Sequence, residues 1–534
     1  MKISAHRPTI LGRHGVVASG HWLASQVGLK VLMEGGNAID AAVATSAVLC
    51  VTRPHMCGLG GDGFLLFYSA DEGRVHSLNG SGPAPIRANI DLFTSKGLKA
   101  IPHTGVLSLA VPGLVDVWSE MLGKFGTRTL RDLLRPAIQF AREGIPVYGN
   151  LANTIRRAAY AFPKSIPNAF FAHGSPPGLG DILNQSGLAS SLEKIAAEGR
   201  EGFYQRALAS TICDRIGQEG GLLDLEDLAT YRSRWYPPLD VNYRGFRVFG
   251  QPPVSQGHIF LEMLGVLEGF NAREMGFTSP DLIHVSVEAK KLAFEDRIRY
   301  LADPDFIPVP TDLLLSKEHA EEMRRHIRPE QAFAARSGLS SESGETTYLS
   351  IVDEEGNAAS LIQSLLGPFG SGVIVEGTGI VLNNRLSSFT LDRRVPNHLE
   401  PGKRPAHTLN SYVVLRDGEL FLVGGTPGVD DQVQSNAQVV VNVLDFGLGV
   451  QEAIEAPRWS SRAGTAAGDE KSYELWLEDR FPSYTFRELE RRGHKVRRAA
   501  GWSFGGAEAI MIDRPKGVLM GGADPRRDGY AVGW

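Results

Sequence analysis

The chain changes character at residue 346, and that change limits the folds open to it. From about 110 to 300, apolar residues recur every three to four positions, most clearly over 130–142, 188–198, 258–268 and 280–301, as on one face of a helix. Past the boundary, 346–352 and 358–364 alternate like strands around the turn-forming 353–357 (DEEGN), which predicts a hairpin beginning at Thr346. The segment just before it, 334–345 (AARSGLSSESGE), is small, polar and aperiodic, as a flexible loop or linker is.

Strand and helix signals occur on both sides of residue 346. Residues 16–51 read as two helices, the second with Asn37 as N-cap and with small residues (AAVATSAV) that suit close packing and burial. Strands are expected within 63–78, a hairpin over 239–250, strands at 373–375 and 379–383, and a second hairpin from 412–415 and 419–423. Helical spacing returns at 430–445 and 450–457, and the last strands fall near 508–513 and 518–521. Helices laid on the faces of a largely antiparallel sheet predict a layered α/β architecture with strands from both halves in one core. At 534 residues the chain is larger than one simple hydrophobic core, so it holds either several domains or a single interleaved core.

Composition narrows the function classes. A net charge of -5 supplies no basic field for phosphate backbones, so nucleic acid is not expected as a partner, and membrane surfaces are not either. Residues 1–10 lack the apolar core of a secretory signal and no run approaches ~20 apolar residues, so cytoplasmic residence is the expectation. Cys50, Cys57 and Cys213 are too few for a disulfide framework and not spaced as metal ligands, and read as buried thiols. No cofactor or metal site is expected.

Gly58-x-Gly60-x-x-Gly63 matches a dinucleotide fingerprint by letter, but a helix precedes it and a strand follows, the reverse of the order that motif requires. It reads instead as a tight backbone loop near a site. Serine-hydrolase elbows, zinc-protease helices and redox CxxC pairs are lacking in the sequence. Thr346-Thr347 carries more. A threonine placed at a chain terminus has an α-amine of pKa about 7.7–8 that can accept the proton of its own hydroxyl, which an internal amide nitrogen cannot do. Without cleavage, two threonines at a strand head are ordinary β-propensity.

Several ordered motifs together resemble the γ-glutamyltranspeptidase family: GGNAIDAA at 35–42, GLGGDGF at 58–64, Thr346-Thr347 with Ser350, Val352-Asp353 and Gly356-Asn357, then Lys403-Arg404-Pro405, Gly425-Thr426-Pro427-Gly428, Ala456-Pro457-Arg458 and Asp524-Pro525-Arg526. They run from about residue 14 to the C-terminus. The resemblance implies an N-terminal nucleophile hydrolase, an αββα sandwich built from both halves of a self-cleaved precursor. The large subunit would be 1–345 and the small subunit 346–534, with the cut between Glu345 and Thr346. It implies Thr346 as nucleophile, Ser364 as a hydroxyl that holds it, and the amides of Gly428 and Val429 as an oxyanion hole.

The glutamate-binding pattern of the family is altered here. Its amine-binding Asn, Gln and Asp fall on Leu366, Arg385 and Ser388, its carboxylate-binding arginine near Ser81, and its paired serines on His407-Thr408. The lid-bearing segment is also short, 389–401. These features are similar to the branch that holds cephalosporin-acylase-like enzymes and oxamate amidohydrolase. Arg385, with His407 and Thr408, suits an acyl group bearing a carboxylate, since a guanidinium can grip one bidentately; a structural ion pair is the alternative role. The leading expectation is thus an amidohydrolase acting on a small-molecule amide, oxamate-like or dicarboxylic. A γ-glutamyltransferase and an uncleaved, non-catalytic binding protein are the alternatives. The processed heterodimer is also a candidate for homo-oligomer formation.

Overall fold

The structure is a computed structural model that describes residues 5–171, 174–333, 344–463 and 473–534. Two seven-stranded antiparallel sheets lie face to face. The first runs Tyr530–Gly533, Val16–Ser19, Glu345–Val352, Ala358–Leu366, Asp62–Ser69, Arg74–Gly80 and Arg234–Tyr236. The second runs Ile10–Gly12, Val518–Ala523, Glu508–Asp513, Glu419–Gly425, Ser411–Arg416, Phe246–Gly250 and Leu239–Tyr243. In both, strands from before and after residue 346 are neighbours, so one interleaved core forms rather than two domains.

Three apolar clusters account for the layering. Val16, Leu66 and Val352 from the first sheet meet Val413, Val423 and Ile510 from the second in the sandwich interior. On the outer face of the first sheet lie Trp22–Met33, Ala38–Thr52 and the helices that follow, with Leu349, Ile351 and Leu361 turned toward them. Gly257–Leu267, Pro280–Tyr300, Lys317–His326 and Asp431–Leu444 cover the second sheet. The result is the αββα sandwich of N-terminal nucleophile hydrolases. Burying each large apolar side chain contributes ~1.5–3 kcal/mol, and the central strands, covered on both faces, are buried along nearly their whole length.

Most expected elements form. Asn37 caps Ala38–Thr52, its side chain accepting from the amides of Ile39 and Asp40 while Asp40 accepts from the Asn37 amide, and every residue of that helix is buried. Residues 16–19 are a strand rather than part of a helix. Val16-Val17 are β-branched, and the segment pairs with Leu349–Val352, an edge that sequence spacing cannot reveal. The strand at the boundary starts one residue early, at Glu345, and its partner runs on to Leu366. The loop expected over 334–345 lies outside the described residues except for Gly344 and Glu345. The three-stranded sheet of Trp459–Ala463, Tyr473–Glu478 and Lys495–Ala499, with one parallel pair, was not read from sequence. Cys50 and Cys57 are buried free thiols; Cys213 is only partly buried. Among the described residues no helix is long and apolar enough to cross a membrane.

Candidate active site

Register builds the site. Thr346 pairs with Ser364, and Ser364 pairs with Asp62, so three side chains from adjacent strands project to the same face. That face looks into the space between the sheets. The chain is continuous through Glu345 and Thr346. Thr346 is 1% exposed, and its hydroxyl donates to Ser364 Oγ at 3.3 Å. Ser364 in turn donates to the carbonyl oxygen of Glu345 at 2.7 Å and accepts from the amide of Leu366 at 2.8 Å. One hydroxyl with one proton and two lone pairs satisfies all three contacts. Ser364 therefore links the Thr346 hydroxyl to the Glu345 carbonyl.

The opposite sheet supplies the second part. The strand Glu419–Gly425 leads through Thr426-Pro427-Gly428-Val429 into the helix Asp431–Leu444. Gly428 has φ 134° and Val429 φ 51°; a β-branched residue in the left-handed region costs on the order of 1–3 kcal/mol. Gln256 offsets it, its Nε2 donating to the Val429 carbonyl at 2.9 Å and to the Thr408 carbonyl at 2.7 Å. Among the described residues neither the Gly428 nor the Val429 amide has an acceptor, so both N–H groups remain available to an incoming oxygen. Gly344 wedges against this loop: a Cβ there would lie 2.2 Å from Val429 Cγ2 and 2.9 Å from the Leu366 carbonyl.

The third part is a buried charge cluster. Arg385 Nε donates to Asp62 Oδ2 at 3.1 Å, and His407 Nε2 lies 3.1 Å from the same oxygen, with all three side chains fully buried. Burial and then the neighbouring Arg385 cation hold the His407 pKa down to about 4, against the opposing pull of Asp62. The neutral ring is assigned Nε2–H toward Asp62, which leaves Nδ1 to accept from the Leu409 amide at 3.3 Å. His407 packs on Phe64 with ring centroids 4.7 Å apart. Thr408 lies in a cleft of about 320 Å³ together with Leu366, Ser388, Val429 and Arg297. A second cleft of about 570 Å³, with Glu345, Asn384, His103 and Arg157 on its walls, meets the first at Leu366.

His407 has an ordinary pKa of 6.5 and a folded value of about 4, so its stabilising neutral state is fully present above 6.5 and is lost as pH falls toward 4. From about pH 7 to about pH 5 the native protein should lose ~2 kcal/mol more than His407→Gln does, measured by urea unfolding at both values. Equal losses would remove His407 as a buried neutral group.

The structure thus brings Glu345, Thr346 and Ser364 into direct contact, sets Arg385 and His407 on Asp62, and holds the Gly428-Val429 loop through Gln256. Asp62 and Gln256 were missed in the sequence. Asp62 sits inside the GLGGDGF stretch, which reads as a backbone loop; indeed a Cβ on Gly61 would come within 2.4 Å of the Ser364 carbonyl. The helix–loop–strand order there is as expected, with Ala38–Thr52 before and Asp62–Ser69 after.

A gamma-glutamyltranspeptidase family model matches residues 24–534. The chain belongs to the γ-glutamyltranspeptidase family. It is 38% identical over 532 residues, 98% of this chain and 99% of the relative, to a glutathione hydrolase-like YwrD proenzyme of Bacillus subtilis (strain 168). An oxamate amidohydrolase proenzyme of Klebsiella pneumoniae is 34% identical over 532 residues, covering 98% of each chain. Among solved structures, a cephalosporin acylase from Bacillus halodurans superposes with a TM-score of 0.92 at 36% identity over 100% of this chain and 98% of that one. The family resemblance, the acylase-like branch and the sandwich expected from the motifs are all borne out. Both curated relatives are proenzymes, in keeping with a hydrolase family made by self-cleavage.

Proposed function

We propose that this chain is a precursor that cuts itself between Glu345 and Thr346 into subunits 1–345 and 346–534, and then acts as an amidohydrolase with Thr346 as nucleophile. The observation that carries the proposal is the hydrogen-bond chain from Thr346 Oγ through Ser364 Oγ to the Glu345 carbonyl. In processing, Thr346 Oγ adds to the Glu345 carbonyl carbon, the C–N bond breaks, and the amide nitrogen takes up a proton as the α-amine. Water then resolves the ester. During turnover the free amine accepts the Thr346 hydroxyl proton while Oγ attacks a substrate amide, and the amides of Gly428 and Val429 receive the oxyanion. Water releases the acyl group.

Two features favour an acyl group that bears a carboxylate. Arg385 stands where the family has an amine-binding residue, so the acceptor that a γ-glutamyl ammonium group would use is replaced by a guanidinium held on Asp62, the register partner of Ser364. The self-cleavage acyl group, Glu345, also carries a carboxylate. Leu366 adds an apolar wall to both clefts where an amine-binding side chain is expected in the family. An oxamate-like or dicarboxylic monoacyl amide is the substrate class this reading favours, with Thr408 on the cleft wall, while Arg385 and His407 are fully buried on Asp62 and line neither of the two clefts.

The test is N-terminal sequencing of the fragments followed by an amide screen that measures released amine. Fragments beginning at Thr346 and release from carboxylate-bearing amides support the reading; robust transfer from a γ-glutamyl anilide to a dipeptide would instead make the protein a transferase. Ser364→Ala should slow self-cleavage by roughly 10²–10³-fold, the usual effect of losing one donor to a developing oxyanion. Fragment appearance over time, followed by denaturing electrophoresis, measures it, and an unchanged rate would take Ser364 out of the reaction.

A further inference from the structure

Three helices behind the oxyanion loop bring two carboxylates and an imidazole together. Glu262 lies on Gly257–Leu267, Asp296 on Pro280–Tyr300 and His319 on Lys317–His326, and their ligand-capable atoms are all within 4.8 Å of one another. His319 Nε2 is 2.7 Å from Asp296 Oδ2 and 3.6 Å from Glu262 Oε1. Glu262 is 2% exposed, and among the described residues neither of its oxygens receives an N–H donor; the groups that face it are Asp296 and His319. A buried carboxylate without a donor, facing a second carboxylate, is a costly arrangement that a cation would resolve. The side chains of Asp296 and His319 keep 15% and 18% exposure, so the cluster is not sealed from solvent.

A second compact group, His284, Glu288 and His494, differs on this point. Lys291 Nζ and the Phe333 amide donate to the two Glu288 oxygens, His284 bonds to His494, and the Arg328 carbonyl takes the other His284 nitrogen. That group is satisfied by the protein itself. The Glu262 group is not.

We propose that Glu262, Asp296 and His319 form a structural site for one divalent transition cation of the Zn²⁺ class. Once the incoming ion displaces their protons, two carboxylates bring a charge of -2 to match it, and the single imidazole disfavours Mg²⁺ and Ca²⁺, which take all-oxygen shells. The location ties the site to the catalytic loop. The Glu262 helix begins directly after Gln256, which holds Val429, and the Asp296 helix carries Arg297, which is paired with Asp430. A bound cation would cross-link both supports.

Untagged full-length protein, stripped with a chelator and desalted, is titrated with ZnCl2 by calorimetry, and thermal unfolding is followed with and without the ion. One equivalent should bind, and the unfolding temperature should rise with it. Glu262→Gln and His319→Gln should each weaken binding by more than about tenfold and remove the rise, since even outer-shell changes cost 10–100-fold. Cys213→Ser, which removes a partly exposed thiol, should bind as the unaltered protein does. The proposal is overturned if the unaltered protein binds no equivalent of Zn²⁺, or if binding is lost with Cys213. It is equally overturned if Glu262→Gln binds normally. A Glu262–Asp296 pair sharing a proton would show itself as no Zn²⁺-dependent shift in any form. Should Glu262→Gln fail to fold, His319→Gln at the more open position and the titration of the unaltered protein decide the matter.

Discussion

A Thr346→Ala protein should remain one chain in denaturing electrophoresis and release no amine from any amide that the unaltered protein hydrolyses. Removing a nucleophile from a hydrolase costs on the order of a millionfold in turnover, and here the same hydroxyl is assigned to processing as well. The neighbouring Thr347 cannot substitute. It points to the opposite face, where its hydroxyl and the buried Arg53 guanidinium both crowd Gly20. Thr346→Ser keeps a hydroxyl, primary in place of secondary, at the same strand head and should still split and turn over. Cleavage of Thr346→Ala at the normal rate, or fragments of the unaltered protein beginning at any other residue, would falsify the assignment.

The second large effect is expected at Asp62. Its carboxylate accepts from Arg385 Nε and lies against His407 Nε2, with the Gly82 amide 3.4 Å from the other oxygen. Asp62→Ala takes away a carboxylate partner of a fully buried arginine, and breaking a buried ion pair typically destabilises by ~3–5 kcal/mol. Lower thermal stability and a failure to accumulate mature fragments should result. The double variant Asp62→Ala with Arg385→Met removes both charges and should recover much of the stability, because an apolar replacement of a buried ion pair is often neutral. If Asp62→Ala alone is as stable as the unaltered protein, or the double variant is no better than the single one, the cluster is not an energetically coupled unit. Activity separates the roles further. A double variant that folds and self-cleaves yet handles acidic and neutral amides alike would make Arg385 a selectivity residue, whereas one with its preference intact would leave it a structural brace.

Much of this arrangement was legible in the residues because it depends on local chemistry. The period change at 346, the Asn37 cap, the hairpin of 346–364 and the glycine-rich loop all follow from spacing and turn preference, and each forms within a residue or two of its expected place. Val16–Ser19 was misread since a four-residue strand buried on both faces has no alternation to detect. Arg385 was singled out by its sequence, but its partner Asp62 is 323 residues away and carries no local signal.

Most of the elements, the candidate nucleophile and the family were legible in the residues, because periodicity, capping and ordered motifs are written along the chain. Only the tertiary structure decided how these parts meet. Strand register set Thr346 beside Ser364 and Asp62, and sheet-on-sheet packing brought the Gly428-Val429 loop and His407 to that row. Helix packing gathered Glu262, Asp296 and His319 from three separate segments. The physical reason is the same in each case: burial compels distant polar groups to find one another, and which ones meet is settled by three-dimensional packing rather than by separation along the chain.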